Sequence, residues 1–202
     1  MDARSAFSYA CTRCGRCCAG KRIQVNPYEI AHLAQGLGQG TAAVRDAYTV
    51  DGAALRQTED GACIFFDPAA GCTVHADRPL VCRLFPLGRY IDEAGEVTWW
   101  RGAFDPPPAG AFGEDGTVAG FVAAQGAEPY IHFADAYFRW YLKASNDGAH
   151  LSSEAPRASD LLDIDAVLAG HCARTGEAEP VTPEDRAALH LEILDRLVVV
   201  GG

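Results

Sequence analysis

Hydrophobic and polar positions divide the chain into a front part of short, turn-punctuated runs and a rear part with helical periodicity. Asn26-Pro27-Tyr28-Glu29 is a helix start, with Asn at the cap, Pro at the first helical position and Glu at the third. Ile30, Leu33 and Ala34 continue an apolar stripe that Gly36 and Gly38 stop. Thr41 is expected to cap a second short helix through about Tyr48. Residues 61–66 read as a short buried strand, and Asp67 to Gly71 as a turn. Leu87–Asp92 and Glu96–Arg101 read as a hairpin around Ala94-Gly95. Asp105-Pro106-Pro107-Pro108 breaks the pattern, so 105–117 is expected to be a loop or linker.

Beyond it the chain reads as mostly helical. Pro129–Lys143 carries Tyr130, Phe133, Tyr137, Phe138, Trp140 and Tyr141, the pattern of a helix packed on a core rather than of a ligand-stacking surface. Residues 144–158 are polar and loop-like, Asp160–Ala169 is an expected helix, and Thr182-Pro183-Glu184-Asp185 opens a last amphipathic helix to about Val199. The expected fold is α+β: a small irregular cysteine-cluster core with short strands and a hairpin over 1–104, and a mainly helical extension packed on it over 105–202.

At 202 residues, 49% apolar and 22% charged, the composition is that of an ordinary globular chain. The net charge of −10 is the wrong sign for sequence-independent phosphate binding, so no nucleic-acid partner is expected. No apolar run reaches signal-peptide or membrane-spanning length, and a cytoplasmic, reducing setting is expected, with no membrane partner.

Cysteine is the outlier. There are eight, four of them in Cys11-Thr12-Arg13-Cys14-Gly15-Arg16-Cys17-Cys18. Two cysteines three apart can turn their sulfurs to one ion, and a third extends the pattern to the C-x2-C-x2-C run of iron–sulfur proteins. Gly15 stands where such a turn often needs a positive φ. A disulfide between neighbours such as Cys17 and Cys18 is badly strained, which weakens the disulfide reading against the metal one. With extended backbone these two side chains would point to opposite sides and would not easily serve one ion. Downstream, Cys63, Cys72 and Cys82 could close the fold over the first cluster as a long-range staple.

Charge follows the thiols. Residues 1–25 hold Arg4, Arg13, Arg16, Lys21 and Arg22 against Asp2 alone, and residues 72–90 hold Arg78, Arg83 and Arg89 against Asp77. Nearby cations lower thiol pKa and offset the charge of thiolate-bound metal. A solvated basic patch for an acidic partner is the plainer reading of the same residues.

The cluster at 11–18, followed in order by Cys63, Gly71-Cys72, Arg78-Pro79, Cys82-Arg83 and Phe85-Pro86, resembles the YkgJ-type CxxCxxCC cysteine-cluster family. The resemblance covers roughly residues 9–90 and implies chelation of zinc or iron by Cys11, Cys14, Cys17, Cys18, Cys63, Cys72 and Cys82. A similar cluster occurs in flagellin lysine N-methylases, which implies an iron–sulfur link to protein methylation. Nothing after residue 105 matches the family core.

His75 is read as packing rather than ligation, and Cys172 as a structural or surface thiol. His171 stands beside Cys172 and is the more ambiguous case, whereas His32, His132, His150 and His190 lack companion spacing. No nucleophile elbow, phosphate loop or dinucleotide fingerprint is present. Three functions follow: a cytoplasmic protein holding an iron–sulfur cluster or zinc or iron; a cluster-dependent modifying enzyme resembling a protein methylase; and a metal-stapled interaction module with a protein or small-molecule partner.

Overall fold

A computed structural model describes residues 1–104, 107–146, 149–152, 155 and 160–200. The fold is α+β, with helices beside small two-stranded antiparallel sheets. It divides into two compact units. Unit 1 is Met1–Gln24 with Leu55–Tyr130, and unit 2 is Val25–Ala54 with Ile131–Gly202.

Unit 1 opens with β1 (Ala6–Ala10) and a 3-10 turn at Arg16–Cys18. The hairpin of β4 (Phe66–Asp67) and β5 (Gly71–Cys72) follows the return of the chain through β3 (Ala54–Leu55). Helix α3 (Leu80–Leu84) leads into the hairpin of β6 (Leu87–Ile91) and β7 (Val97–Arg101), as the sequence predicts. Residues 61–66 do not form the expected strand. The Cys63 N–H donates to the Cys18 carbonyl at 2.7 Å, and Ala62 and Cys63 make isolated antiparallel bridges to Ala19 and Gln57; the Phe66 N–H then turns back to the Cys63 carbonyl at 2.8 Å and interrupts the run before β4.

Residues 107–110 are irregular, and 105–106 lie outside the described residues. Ala111–Thr117, expected as loop, is strand β8, paired antiparallel with β1 in the register Ser8↔Gly113, Tyr9↔Phe112, Ala10↔Ala111. Its Gly and acidic residues hid it, because the pairing rather than its own propensity makes it a strand. Thr117 then caps α4 (Val118–Ala124), accepting from the Gly120 N–H, and Phe121 meets Phe7 edge-on at 5.0 Å.

Unit 2 begins with α1 (Pro27–Leu37). Asn26 Oδ1 accepts from the Glu29 N–H at 3.0 Å, and Glu29 Oε2 accepts from the Asn26 N–H at 2.8 Å, the reciprocal cap the sequence predicts. Gly36 is tolerated inside the helix, and Gly38, in the left-handed region, ends it. In α2 (Thr41–Tyr48), Gly40 is the cap and Thr41 the first helical residue, which frees the Thr41 hydroxyl to donate to Asp163 Oδ1 at 2.6 Å. β2 (Thr49–Val50) follows.

Helix α5 (Glu128–Ala144) carries the chain into the rest of unit 2, where Phe133 and Tyr137 are buried and Tyr141 is exposed. Within the segment 144–158 expected as loop, Ala149–Leu151 form β9, paired with β10 (Val198–Val200); 147–148, 153–154 and 156–158 lie outside the described residues. The helix expected from Asp160 starts later, as α6 (Ile164–Thr175), because the Asp163 side chain accepts from the Ala166 N–H and fixes the start there. Helix α7 (Pro183–Leu197) is capped by Thr182. Tyr28, Ile30, Leu33, Ile164, Leu168 and Leu194 form the apolar core, with Tyr28 stacked on Phe133 at 4.4 Å.

His190 is fully buried in this core. Its Nε2 donates to the Leu161 carbonyl at 2.8 Å and its Nδ1 accepts from the Tyr137 hydroxyl at 2.9 Å. Both bonds suit the neutral ring, and burial lowers its pKa to about 4.

Candidate metal centre

The site is built in unit 1 by backbone that turns sharply at each thiol. After β1 the chain passes Cys11 and Cys14, both exposed, with Arg13 in the left-handed region and its N–H donating to Cys11 Sγ at 3.3 Å. Gly15 takes φ +74° and heads the 3-10 turn, and the Cys18 N–H closes on the Gly15 carbonyl at 2.8 Å. A Cβ at Gly15 would lie 2.4 Å from the Phe66 ring, so glycine is required there both by φ and by space.

This turn changes the expectation for Cys17 and Cys18. The backbone is coiled rather than extended, and the two sulfurs stand on one side, 3.8 Å apart. That is far beyond disulfide length, and all eight cysteines are free. It is also close to the sulfur–sulfur edge of a tetrahedral thiolate site, about 3.8 Å for metal–sulfur bonds of about 2.3 Å.

The later cysteines approach on three short elements. Cys63 is held against the first cluster by the bond from its N–H to the Cys18 carbonyl. Cys72 ends the β4–β5 hairpin, whose turn is tied by Asp67 Oδ1 accepting from the Ala69 and Ala70 N–H groups. Cys82 lies in α3, one turn after Pro79. Cys11, Cys17, Cys18, Cys63, Cys72 and Cys82 line one cavity of about 290 Å³. Cys14 is outside its lining, and Cys172 belongs to α6 of unit 2. Among the described residues, no three His, Cys, Asp or Glu side chains are gathered closely enough to hold an ion as they stand.

Arg13, His75 and Arg78 also line the cavity, with no carboxylate among the lining residues. Arg78 donates to the His75 carbonyl and to Gln125 Oε1 at 2.8 Å, and its Nη1 lies 3.4 Å from His75 Nδ1. Burial, then the charges of Arg78, Arg13 and Arg83, hold His75 below the usual imidazole range. Arg83 is buried behind this wall. Its guanidinium donates to the carbonyls of Arg78, Gln125 and Ala76 and to the Tyr130 hydroxyl, and it stacks on the Tyr130 ring at 4.0 Å. These roles were not assigned from sequence; the excess of cations around the thiols was the available signal.

The thiols differ in proton affinity. The Cys18 S–H donating to it, opposed by burial and aided by Lys21 and Arg78, brings Cys17 down to about 6. The same bond, burial and the neighbouring thiols push Cys18 up. Burial raises Cys63 and Cys72. For Cys14 burial acts upward but is outweighed by bonds from the backbone of Ala109 and Arg16 and from Thr12. One thiolate is thus available near neutral pH and can start ligation, while further ligands release protons as a metal enters.

Residues 10–100 match the model of the CxxCxxCC family, described as "Putative zinc- or iron-chelating domain". Over this segment, under half of the chain, the protein is similar to that family. All seven cysteines of the resemblance fall in the matched segment, and Cys172 falls outside it. No curated protein and no solved structure matches the chain. No described helix is long and apolar enough to cross a membrane.

In kind, the donor set fits a thiophilic metal: sulfur ligands, one acidic thiol, guanidinium counter-charge and no competing carboxylate. In distance, the Cys17–Cys18 pair has ligand spacing, and among the described residues no third donor joins a group close enough to hold an ion, so further side chains must turn toward it on loading.

Proposed function

We propose that the CxxCxxCC domain chelates zinc or iron through Cys11, Cys14, Cys17, Cys18, Cys63, Cys72 and Cys82, and that an iron–sulfur cluster is the resident group. The observation that carries this reading is the lining of one cavity by six of these thiols beside Arg13 and Arg78. Seven thiols exceed the four that one tetrahedral ion takes, and about 290 Å³ is more room than one ion needs. When bound, such a cluster supplies reversible one-electron chemistry. The chain's own contribution is to gather the sulfurs, offset their charge and exclude carboxylate ligands. A second reading, structural zinc, is favoured by the 3.8 Å spacing of Cys17 and Cys18. Free thiols throughout suit a reducing compartment such as the cytoplasm.

Anaerobic purification with metal and sulfide analysis tests the reading. Iron with matching inorganic sulfide and a broad visible absorption is expected. Colourless protein with stoichiometric zinc replaces the cluster by the second reading. Protein that retains neither metal, with all thiols titratable, overturns both.

A further inference from the structure

A second cavity, of about 300 Å³, adjoins the sulfurs from another side. Cys17 and Cys82 line both cavities; among the described residues the remaining walls of the second are apolar apart from Lys21, the one charged residue in its lining. The aromatic walls are built on glycine. Gly88 pairs with Trp100 across β6 and β7, and a Cβ there would lie 2.1 Å from the indole, so the ring lies flat on bare backbone. At Gly102 a Cβ would lie 2.2 Å from the Phe104 ring. Trp100 is left 46% exposed, a large apolar surface facing open space.

The Lys21 ammonium lies 4.1 Å from the centre of the Phe85 ring and 4.4 Å from that of Phe104. Aromatic faces hold it in place by cation–π attraction without carrying a counter-charge, and the anionic groups it faces are the Cys17, Cys82 and Cys18 sulfurs. Among the described residues it makes no ion pair with a carboxylate. A fixed cation in an apolar, aromatic cleft of this volume is the recognition pattern for a small ligand with an oily body and one negative charge. A dianionic phosphate would leave charge buried and uncompensated beside a single ammonium. A nucleotide would need further polar partners that the walls do not offer.

We propose that this second cavity binds a small carboxylate with an aromatic or short aliphatic body, its carboxylate on Lys21 and its body among Trp100, Phe85 and Phe104, against the sulfurs of Cys17 and Cys82. The proposal goes beyond metal chelation, since neither the charge match nor the fit requires a metal to be present.

The test uses the full chain, titrated with 3-phenylpropionate, its neutral amide and inorganic phosphate, followed by calorimetry and by tryptophan fluorescence. Metal content is assayed on the same samples, and the titrations are repeated on metal-free chain, so failure to hold metal is read separately from failure to bind the carboxylate. Saturable binding of the carboxylate is expected, about tenfold or more tighter than the amide, the ratio of one charge-assisted contact, with no saturation by phosphate. Lys21→Met is expected to bring carboxylate and amide to the same affinity, whereas Lys21→Arg keeps the preference. Trp100→Leu is expected to weaken both ligands together. Equal affinity for carboxylate and amide in the unmodified chain, or no saturation by either in the millimolar range, overturns the proposal. A preference that survives Lys21→Met in a protein with unchanged circular dichroism does the same.

Discussion

Replacing Gly15 by alanine tests the turn on which the thiol cluster is built. Two effects add. Alanine at φ +74° sits in the left-handed region at a cost of about 1–2 kcal/mol. Its Cβ would lie 2.4 Å from Phe66 Cε2 and 2.5 Å from Cζ, so ring or turn must move by about 1 Å to reach ordinary contact, an overpacking cost of about 1–3 kcal/mol. The expected loss is about 2–5 kcal/mol, read by urea denaturation with far-ultraviolet circular dichroism. The steric share belongs to one pair, Cβ and the Phe66 ring. Gly15→Ala with Phe66→Leu should therefore be less destabilised than the sum of the single changes, with a coupling of about 1–3 kcal/mol, while the backbone share persists. Strict additivity in this cycle, or a Gly15→Ala protein as stable as the parent, would refute the account of the turn.

Other perturbations give distinct readouts. His190 binds its proton less readily in the folded chain, at about 4, than at the ordinary 6.5, so its stabilising share is complete above pH 6.5 and declines as pH falls toward 4. Between pH 7 and 5 that decline is about 2 kcal/mol, and the pH slope of stability should flatten by that amount in His190→Leu; equal slopes in both proteins would contradict it. Arg83→Lys keeps the charge but cannot span the carbonyls of Arg78, Gln125 and Ala76 and the Tyr130 hydroxyl, so a loss of about 3 kcal/mol is expected in thermal or urea unfolding. Asp163→Ala removes the α6 cap and the acceptor of the Thr41 hydroxyl together, for an expected loss of about 2–3 kcal/mol and faster amide exchange in the first turn of α6.

Local chemistry was legible in the sequence wherever neighbours in the chain decide it. The Asn26–Glu29 cap, the β6–β7 hairpin and the turn at Gly15 follow from residues within a few positions of one another. Long-range pairing was not legible. The strand character of Ala111–Thr117 comes from β1, about a hundred residues earlier, and Gly-Glu-Asp-Gly has no strand pattern of its own. For the same reason 61–66, apolar enough for a strand, is divided between isolated bridges at Ala62 and Cys63 and a turn that bonds Phe66 to Cys63. Within the candidate site the thiols stand out by spacing. The shared side of Cys17 and Cys18 depends on a backbone angle no spacing reveals, and the Arg78–Arg83 scaffold depends on carbonyls from two separate segments, 75–78 and Gln125.

The interleaving of the two units has a consequence for inheritance and dissection. Each is made of two stretches, and the chain changes unit near residues 24, 54 and 130. No single cut yields either one whole, so neither could be acquired, lost or transplanted as a contiguous cassette. The match over residues 10–100 crosses two of those changes, so a gene fragment holding just that match would encode α1 and α2 without the α6 and α7 they share a unit with.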